Sequence, residues 1–180
     1  MFENKKSVLL GLTGGIAVYK SAYLCSALVS EGFDVCVVMT PNARKLISEQ
    51  IFLTLSRNPV TTDLFDASEW KPEHIALADR CDLLAVVPCT ANFIGKCANG
   101  IADDALTTVA AAFDKKVLLA PAMNGRMWRN PAVQENCKKL QSRGVEFIGP
   151  AAGKLACGDD DEGRMTEPDQ ILKKIKSLLK

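Results

Sequence analysis

The chain has 180 residues, of which 48% are hydrophobic and 24% charged, with a formal net charge of +1. This length suits one domain spanning residues 1–180, and the balanced charge gives no basis for binding nucleic acid or an anionic membrane. No apolar run reaches the roughly 20 residues that span a bilayer, and Met1–Lys6 lacks a signal peptide's apolar segment, so we expect a cytoplasmic protein.

Strand and helix patterns alternate along the chain. Apolar runs rich in Val and Leu predict strands at residues 7–13, 33–39, 83–87, 117–120 and 145–148. Helical patterns occupy residues 16–31, 43–55, 91–98, 103–112, 131–143 and 168–179, and a short helix begins at Pro72. Residues 61–71 and 149–165 are predicted as loops. Buried strands separated by helices are typical of a parallel sheet covered on both faces, so the expected fold class is a single doubly wound α/β domain, Rossmann-like or flavodoxin-like.

The turn after the first strand has the character of a phosphate site. Gly14 and Gly15 lie between a strand and a helix, where backbone N–H groups and the helix dipole favour an anion. Thr13 takes the place of the middle glycine of the dinucleotide fingerprint, and the second strand ends at Thr40 without an acidic residue for an adenine ribose. These absences disfavour NAD and favour a mononucleotide, although the glycines also suit a turn made for packing alone.

Other strand ends carry hydroxyl and amide groups. Thr40 and Asn42 follow the second strand, and Thr90 and Asn92 follow the third. Each suits a helix N-cap as well as a ligand contact. Because the carboxyl ends of parallel strands share one edge of the sheet, their combination favours a phosphate and ribityl chain.

Three further residues are candidates for chemistry. His74 is the only histidine; near a helix N-terminus its neutral form is favoured and can accept a proton, although a lone histidine is often structural. Asn124 and Arg126 follow a strand and suit a carboxylate or phosphate, or simply a structured loop. Cys157 lies among acidic residues that favour its neutral thiol, so its chemical role would be to donate a proton. The seven cysteines include no CxxC pair, so we expect reduced thiols and no metal site.

Five segments, in order, resemble the homo-oligomeric flavin-containing cysteine decarboxylases. They are TGGIAVYK (13–20), HIALADRCD (74–82), PCTANF (88–93), PAMNGRM (121–127) and ACGDDDEGRM (156–165). Two segments depart from the family pattern. Cys89 and Thr90 stand where Ala and Ser are usual, and the last segment lacks one glycine, which bears on the flexibility of a substrate lid.

The resemblance implies decarboxylation of a cysteine-derived substrate with FMN and no net redox change. It implies His74 and Cys157 as catalytic residues, Cys157 returning a proton, and substrate contacts at Asn124, Met123 and Ala156. It implies a homotrimer or a multiple of trimers, without a fused CTP-dependent synthetase half. FMN contacts are implied at Gly14, Gly15, Ile16, Thr40, Asn42, Thr90, Ala91, Asn92, Phe93 and Ala120.

Three other functions compete with this one. A peptidyl-cysteine decarboxylase of the lantibiotic type would stop at the enethiol, and the ACGD sequence at Cys157 argues against it. A flavin prenyltransferase would not need His74 together with the PAMN segment. A non-catalytic flavin-binding regulatory subunit would not need His74, Asn124 and Cys157 together.

Overall fold

The structure, a computed structural model, describes residues 5–64, 73–154 and 160–180. Six strands of the described chain form one sheet in the order β3-β2-β1-β4-β5-β6, and every neighbouring pair is parallel. The Rossmann-like α/β fold class is therefore confirmed. The strands are β1 (Ser7–Leu12), β2 (Asp34–Met39), β3 (Val60–Thr61), β4 (Leu83–Cys89), β5 (Lys116–Pro121) and β6 (Glu146–Phe147).

Helices cover both faces of this sheet. Side chains alternate between the faces along β1, so that Val8 and Leu10 join one buried cluster and Leu9 joins the other. The first face carries α1 (Val18–Ser30), α2 (Pro41–Arg44), α3 (Glu49–Ser56) and α9 (Pro168–Leu178). The second carries α4 (Glu73–Arg80), α5 (Ala91–Ala98), α6 (Ala105–Ala112) and α8 (Pro131–Ser142). Among the described helices, none is long and apolar enough to cross a membrane.

The order in which the chain adds strands to the sheet reverses at its centre, between β1 and β4. From β1 the strands proceed to β2 and β3 on one side, and the chain then returns to β4 on the other side of β1. The Thr13 hydroxyl donates to the Pro88 carbonyl oxygen at 2.7 Å and accepts from the Thr90 N–H at 3.1 Å. The residue that departs from the dinucleotide fingerprint thus ties the ends of β1 and β4 together, at the crevice where such sheets bind ligands.

Three predicted segments differ from the structure. The single helix expected over residues 43–55 is two helices, α2 and α3, because the Ser48 hydroxyl accepts from the Gln50 N–H at 3.2 Å and starts a new helix. The loop expected over residues 149–165 contains an antiparallel pair, β7 (Ala151–Lys154) and β8 (Asp160–Arg164). A short helix, α7 (Gly125–Trp128), also follows β5 within a segment expected to be a loop.

Lys115 caps the carboxyl end of α4, the helix with His74 in its first turn. Its Nζ atom donates to the carbonyl oxygens of Ala78, Asp79 and Cys81 at 3.1, 2.8 and 2.7 Å. A cation at this end of a helix satisfies carbonyls without intrahelical partners and complements the helix dipole. The end of α4 opposite His74 is therefore fixed to the segment before β5.

We expect Lys115→Met to lower the free energy of unfolding by about 1–3 kcal/mol, because hydrogen bonds from one charged group to three carbonyls are lost. The matched control is Lys116→Met, since Lys116 Nζ donates to a single exposed carbonyl, that of Leu178. Urea unfolding of both variants measures the difference. Equal losses for the two lysines would contradict the role given to Lys115.

Candidate functional site

A cavity of about 720 Å³ opens at the carboxyl edge of the sheet. The turn after β1 forms one wall with Gly14, Gly15 and Ile16, and the start of α5 adds the neighbouring wall beside Thr90. Opposite them lie residues 122–124, which follow β5, and residues 163–165, at the end of β8 and just beyond it. Four segments that are distant in sequence thus meet in one concave site.

Seven of the predicted binding residues line this cavity: Gly14, Gly15, Ile16, Thr90, Ala91, Met123 and Asn124. The other five described residues predicted to contact FMN do not belong to its lining. Phe93 and Ala120 are buried in the two cores, and Asn92 is exposed on α5. Thr40 caps α2 by accepting from the Ala43 N–H at 3.2 Å, and Asn42 lies against Gly14. Their predicted contacts with FMN remain predictions.

The two glycines of the first turn serve different purposes. A Cβ atom at Gly14 would lie 2.5 Å from Asn42 Cβ and 3.1 Å from its backbone carbon, so the close approach of α2 requires glycine. A Cβ atom at Gly15 would find its nearest protein atoms, in Pro88 and Thr90, at 3.5 Å, an ordinary contact distance. Packing within the protein therefore does not explain Gly15, whereas a ligand close to the backbone would.

The amino end of α1 has the properties of an anion site. Its N-cap residue, Ala17, makes no side-chain capping hydrogen bond, whereas Thr40 and Thr90 cap α2 and α5 with their hydroxyl groups. The Val18 and Lys20 N–H groups donate to the carbonyl oxygens of Gly15 and Ala17, both at 2.9 Å. An anion at this end of α1 would therefore use the remaining N–H groups and the positive end of the helix dipole. Next to Gly15, these groups suit a phosphate.

Asn124 is held in a fixed orientation on the opposite wall. It is the N-cap of α7, and its Oδ1 atom accepts from the Arg126 N–H at 2.9 Å. This hydrogen bond identifies Oδ1 as the acceptor, so the other atom of the carboxamide group, Nδ2, is a donor. A donor at this position suits a carboxylate. The amide predicted from the sequence therefore lies on the same cavity as the turn at Gly14 and Gly15.

The β7–β8 pair is docked directly on this wall. The Met123 N–H donates to the Gly163 carbonyl at 3.0 Å, and a Cβ atom at Gly125 would overlap Asp161 Oδ2. Arg129 Nη1 contacts Asp161 Oδ1 at 2.5 Å, and its hydrogen bond lowers the pKa of that carboxyl. Cys157 and Ala156, predicted as catalytic and substrate-binding residues, lie outside the described residues.

A match to a family model identifies the chain. Residues 2–180 match the model described as Flavoprotein. The chain belongs to the Flavoprotein family. The resemblance to flavin-containing decarboxylases that the five sequence segments carried is confirmed.

Curated relatives of this flavoprotein include two kinds of protein. The Coenzyme A biosynthesis bifunctional protein CoaBC of Bacillus subtilis is 49% identical over 173 residues, which are 94% of this chain and 42% of the relative. The chain thus spans less than half of the length of that relative. The Probable phosphopantothenoylcysteine decarboxylase of Streptococcus mutans is 38% identical over 177 residues, which are 97% of this chain and 99% of the relative.

Solved structures are similar over nearly the whole flavoprotein chain. A PPC decarboxylase variant complexed with pantothenoylaminoethenethiol matches with a TM-score of 0.87 and 31% identity, covering 98% of this chain and 99% of that one. The FMN-dependent cysteine decarboxylase SpaF matches with a TM-score of 0.84 and 29% identity, covering 97% and 98%.

His74 does not share the cavity lining with the other predicted site residues of this flavoprotein. It lies in the first turn of α4, half-buried, and does not belong to the described lining of the cavity. Its Nδ1 atom is buried and has no hydrogen-bond partner among the described residues. A buried polar atom without a partner costs about 1–3 kcal/mol, so the structure gives no stabilising role to this nitrogen within the described residues.

Two charged residues of the cavity were not predicted from the sequence to belong to the site. Lys20 and Arg164 both line it. Lys20 belongs to the TGGIAVYK segment and Arg164 to the GRM end of the last segment, so the signal was present. Neither residue was predicted from the sequence to have a role in the site.

Proposed function

We propose that this chain decarboxylates (R)-4′-phosphopantothenoylcysteine to 4′-phosphopantetheine in coenzyme A biosynthesis, in the cytoplasm and with bound FMN. The observation that carries the proposal is the cavity that brings the turn at Gly14 and Gly15 together with Asn124. Two relatives support the choice of substrate. The Streptococcus mutans protein has nearly the same length as this chain, and the similar PPC decarboxylase holds a pantothenoyl compound.

The residues present fit FMN. The uncapped start of α1 and the open space at Gly15 suit its phosphate and ribityl chain, with Thr90 on the neighbouring strand end. The similar SpaF structure is FMN-dependent by its description. When bound, FMN supplies the reversible two-electron oxidation that makes loss of CO2 from a cysteinyl carboxylate feasible.

The protein's own groups position the substrate and move protons. Asn124 Nδ2 would donate to the carboxylate that leaves as CO2, holding it beside the flavin turn. The His74 imidazole would accept a proton from the substrate. The Cys157 thiol would give a proton to the carbon chain late in the reaction, so that the product has lost CO2 and kept its hydrogens. None of these roles requires a metal.

We propose a homotrimer, or a multiple of trimers, whose second copy completes the site. Ile16, Tyr19 and Tyr23 are 63%, 55% and 70% exposed, and Ile16 and Tyr19 also line the cavity. Apolar side chains so exposed at the rim of a site favour burial against another chain. His74 does not belong to the described cavity lining and keeps part of its side chain exposed, so it is suited to act at the cavity of a neighbouring copy.

The reaction is tested by the colour of the protein and the mass of its product. We expect a yellow protein with a flavin spectrum that converts phosphopantothenoylcysteine to a product lighter by CO2 alone. Cys157→Ser is expected to yield a product also lacking two hydrogens, because the final proton is not supplied. Cys97→Ser, at a half-buried thiol of α5, is the matched control.

Three outcomes would count against this function. A colourless protein that takes up no FMN would contradict the flavin site. A wild-type product that already lacks two hydrogens would instead indicate an oxidative, peptidyl-type decarboxylase. A flavin-loaded protein that releases no CO2 from the substrate would favour a binding role without catalysis.

A further inference from the structure

Strand β8 and helix α7 approach each other closely at the cavity. A Cβ atom at Gly125 would overlap Asp161 Oδ2 and lie 2.7 Å from the Glu162 carbonyl oxygen. A Cβ atom at Gly163 would overlap the Met123 carbonyl oxygen, and the Met123 N–H donates to the Gly163 carbonyl at 3.0 Å. The two backbones therefore lie in direct contact, and neither glycine leaves room for a side chain.

This contact joins two parts of the cavity wall. Asn124 and Met127 line the cavity from α7, and Gly163 and Arg164 line it from β8. The position of β8 against α7 therefore sets the spacing of these groups.

One ion pair connects α7 and β8 outside the described cavity lining. Arg129, the C-cap residue of α7, places Nη1 2.5 Å from Asp161 Oδ1. The same oxygen accepts from the Glu162 N–H at 2.8 Å. The hydrogen bond from Arg129, followed by that from the Glu162 N–H, lowers the pKa of Asp161, so this carboxyl is ionised at neutral pH.

Asp161 is also the residue at which the last segment departs from the family pattern. That pattern has glycine at the places of residues 161 and 163, and this chain keeps only Gly163. A glycine at position 161 would leave the backbone of β8 more freedom. Asp161 restricts that freedom and adds the contact with Arg129. The departure therefore replaces backbone freedom with a side-chain contact to α7.

We propose that Arg129 and Asp161 are positioning residues, whose ion pair holds β8 against α7 and thereby fixes the part of the cavity wall that carries Asn124. Asn124 and Arg129 cap the two ends of the same single-turn helix, so a contact at one end also restricts the other. The consequence for the substrate rests on the proposed function, in which Asn124 binds the carboxylate. The contact between β8 and α7 can be measured without substrate.

Hydrogen exchange of the Met123 amide measures this contact directly, because its hydrogen bond to Gly163 forms only while β8 lies against α7. Arg129→Gln removes the charge that pairs with Asp161. The two side chains are 55% and 28% exposed, and the loss of such a pair changes an equilibrium about two- to fivefold. We expect exchange at Met123 to accelerate by this factor.

An internal control and two variants separate this effect from general loosening. The Ala122 amide, which donates to the Cys89 carbonyl at 3.0 Å, should keep its wild-type exchange rate. Lys174→Gln breaks another exposed ion pair, with Glu146 at 2.9 Å, and should leave exchange at Met123 unchanged. Arg129→Lys keeps the charge and should restore most of the wild-type protection.

The proposed function adds a second measurement. Arg129→Gln is expected to raise KM for phosphopantothenoylcysteine by no more than the same factor and to leave kcat unchanged, because the substrate binds the population in which β8 is in place. In about 1 M salt the difference in KM between wild type and variant should largely disappear, since screening weakens the ion pair. A loss of kcat at unchanged KM would contradict a positioning role.

The inference is overturned if Arg129→Gln and Asp161→Asn both leave exchange at Met123 equal to that of the wild type. It is also overturned if their effects add in the double variant, because two residues that act through one contact lose it only once. If Arg129→Gln does not fold, Asp161→Asn, which keeps the shape of the side chain, makes the same comparison. A wild-type protein that releases no CO2 would contradict the proposed function, whereas the exchange rates would still decide the role of the ion pair.

Discussion

His74→Asn is expected to lower CO2 release about a hundred- to ten-thousandfold while FMN binding stays unchanged. Loss of a positioned proton acceptor has an effect of this size. Asparagine keeps a polar atom near the place of the imidazole Nδ1 but takes up no proton at neutral pH. FMN affinity should be retained because His74 lies apart from the described cavity lining. Flavin absorbance and CO2 release by the same sample measure both effects, and full activity would remove His74 from the mechanism.

Mixing two inactive variants separates catalysis within one copy from catalysis between copies. His74→Asn and Asn124→Asp are each expected to be nearly inactive alone. If His74 acts on the cavity of a neighbouring copy, oligomers assembled from both variants contain some sites in which His74 and Asn124 are both intact. We expect activity to return in the mixed trimers after the two variants are refolded together. No recovery, with mixed trimers shown to be present, would contradict the shared site.

The sheet could be predicted from the sequence because its signal is local. Every residue of β1 and of β4 is buried, so a continuous apolar run is visible without knowledge of the neighbours. The β7–β8 pair could not be predicted in the same way, because its residues are mainly small or charged and form no apolar run. Its position depends on a contact with the segment after β5. The hydrogen bond from Met123 to Gly163 spans residues far apart in sequence.

The same distinction applies to the candidate site. Gly14, Gly15 and Asn124 were found because apolar runs in the sequence locate the strand ends, and in an α/β sheet these ends mark the binding edge. The contacts of Glu167 with the cavity residues Lys20 and Arg164 were missed, because Lys20 and Glu167 are 147 residues apart and neither is unusual alone. That His74 does not belong to the described cavity lining was equally invisible, since spacing along the chain does not reveal which side chains meet in one cavity.

Gly14 and Gly15 illustrate an ambiguity that the sequence leaves open. A glycine next to a binding edge is required either by the protein or by the ligand, and both requirements look the same in sequence. At Gly14 the protein requires it, since Asn42 approaches to within 2.5 Å of a Cβ atom there. At Gly15 the nearest protein atoms leave room for a methyl group. This difference makes the neighbouring glycines a matched pair of test positions.

Gly14→Ala is expected to lower mainly the stability of the protein, and Gly15→Ala mainly its affinity for FMN. Gly14→Ala should destabilise the protein without flavin by about 1–3 kcal/mol, because the new methyl group overlaps Asn42 and the start of α2 must shift. Gly15→Ala should leave the unfolding free energy within about 1 kcal/mol, and alanine's smaller unfolded-state entropy favours a slight gain. Its FMN affinity should fall at least about tenfold, because the methyl group takes space close to the backbone that the ligand needs.

Thermal unfolding of the two apoproteins and titration of each with FMN measure these effects separately. The decisive variant is Gly15→Ala, since reduced FMN binding by a protein of unchanged stability can arise only at the site itself. Gly14→Ala would weaken FMN binding as well, but only together with its loss of stability. If Gly15→Ala binds FMN as tightly as the wild-type protein, the space beside Gly15 is not part of the flavin site, and the uncapped start of α1 would have to bind the phosphate without it.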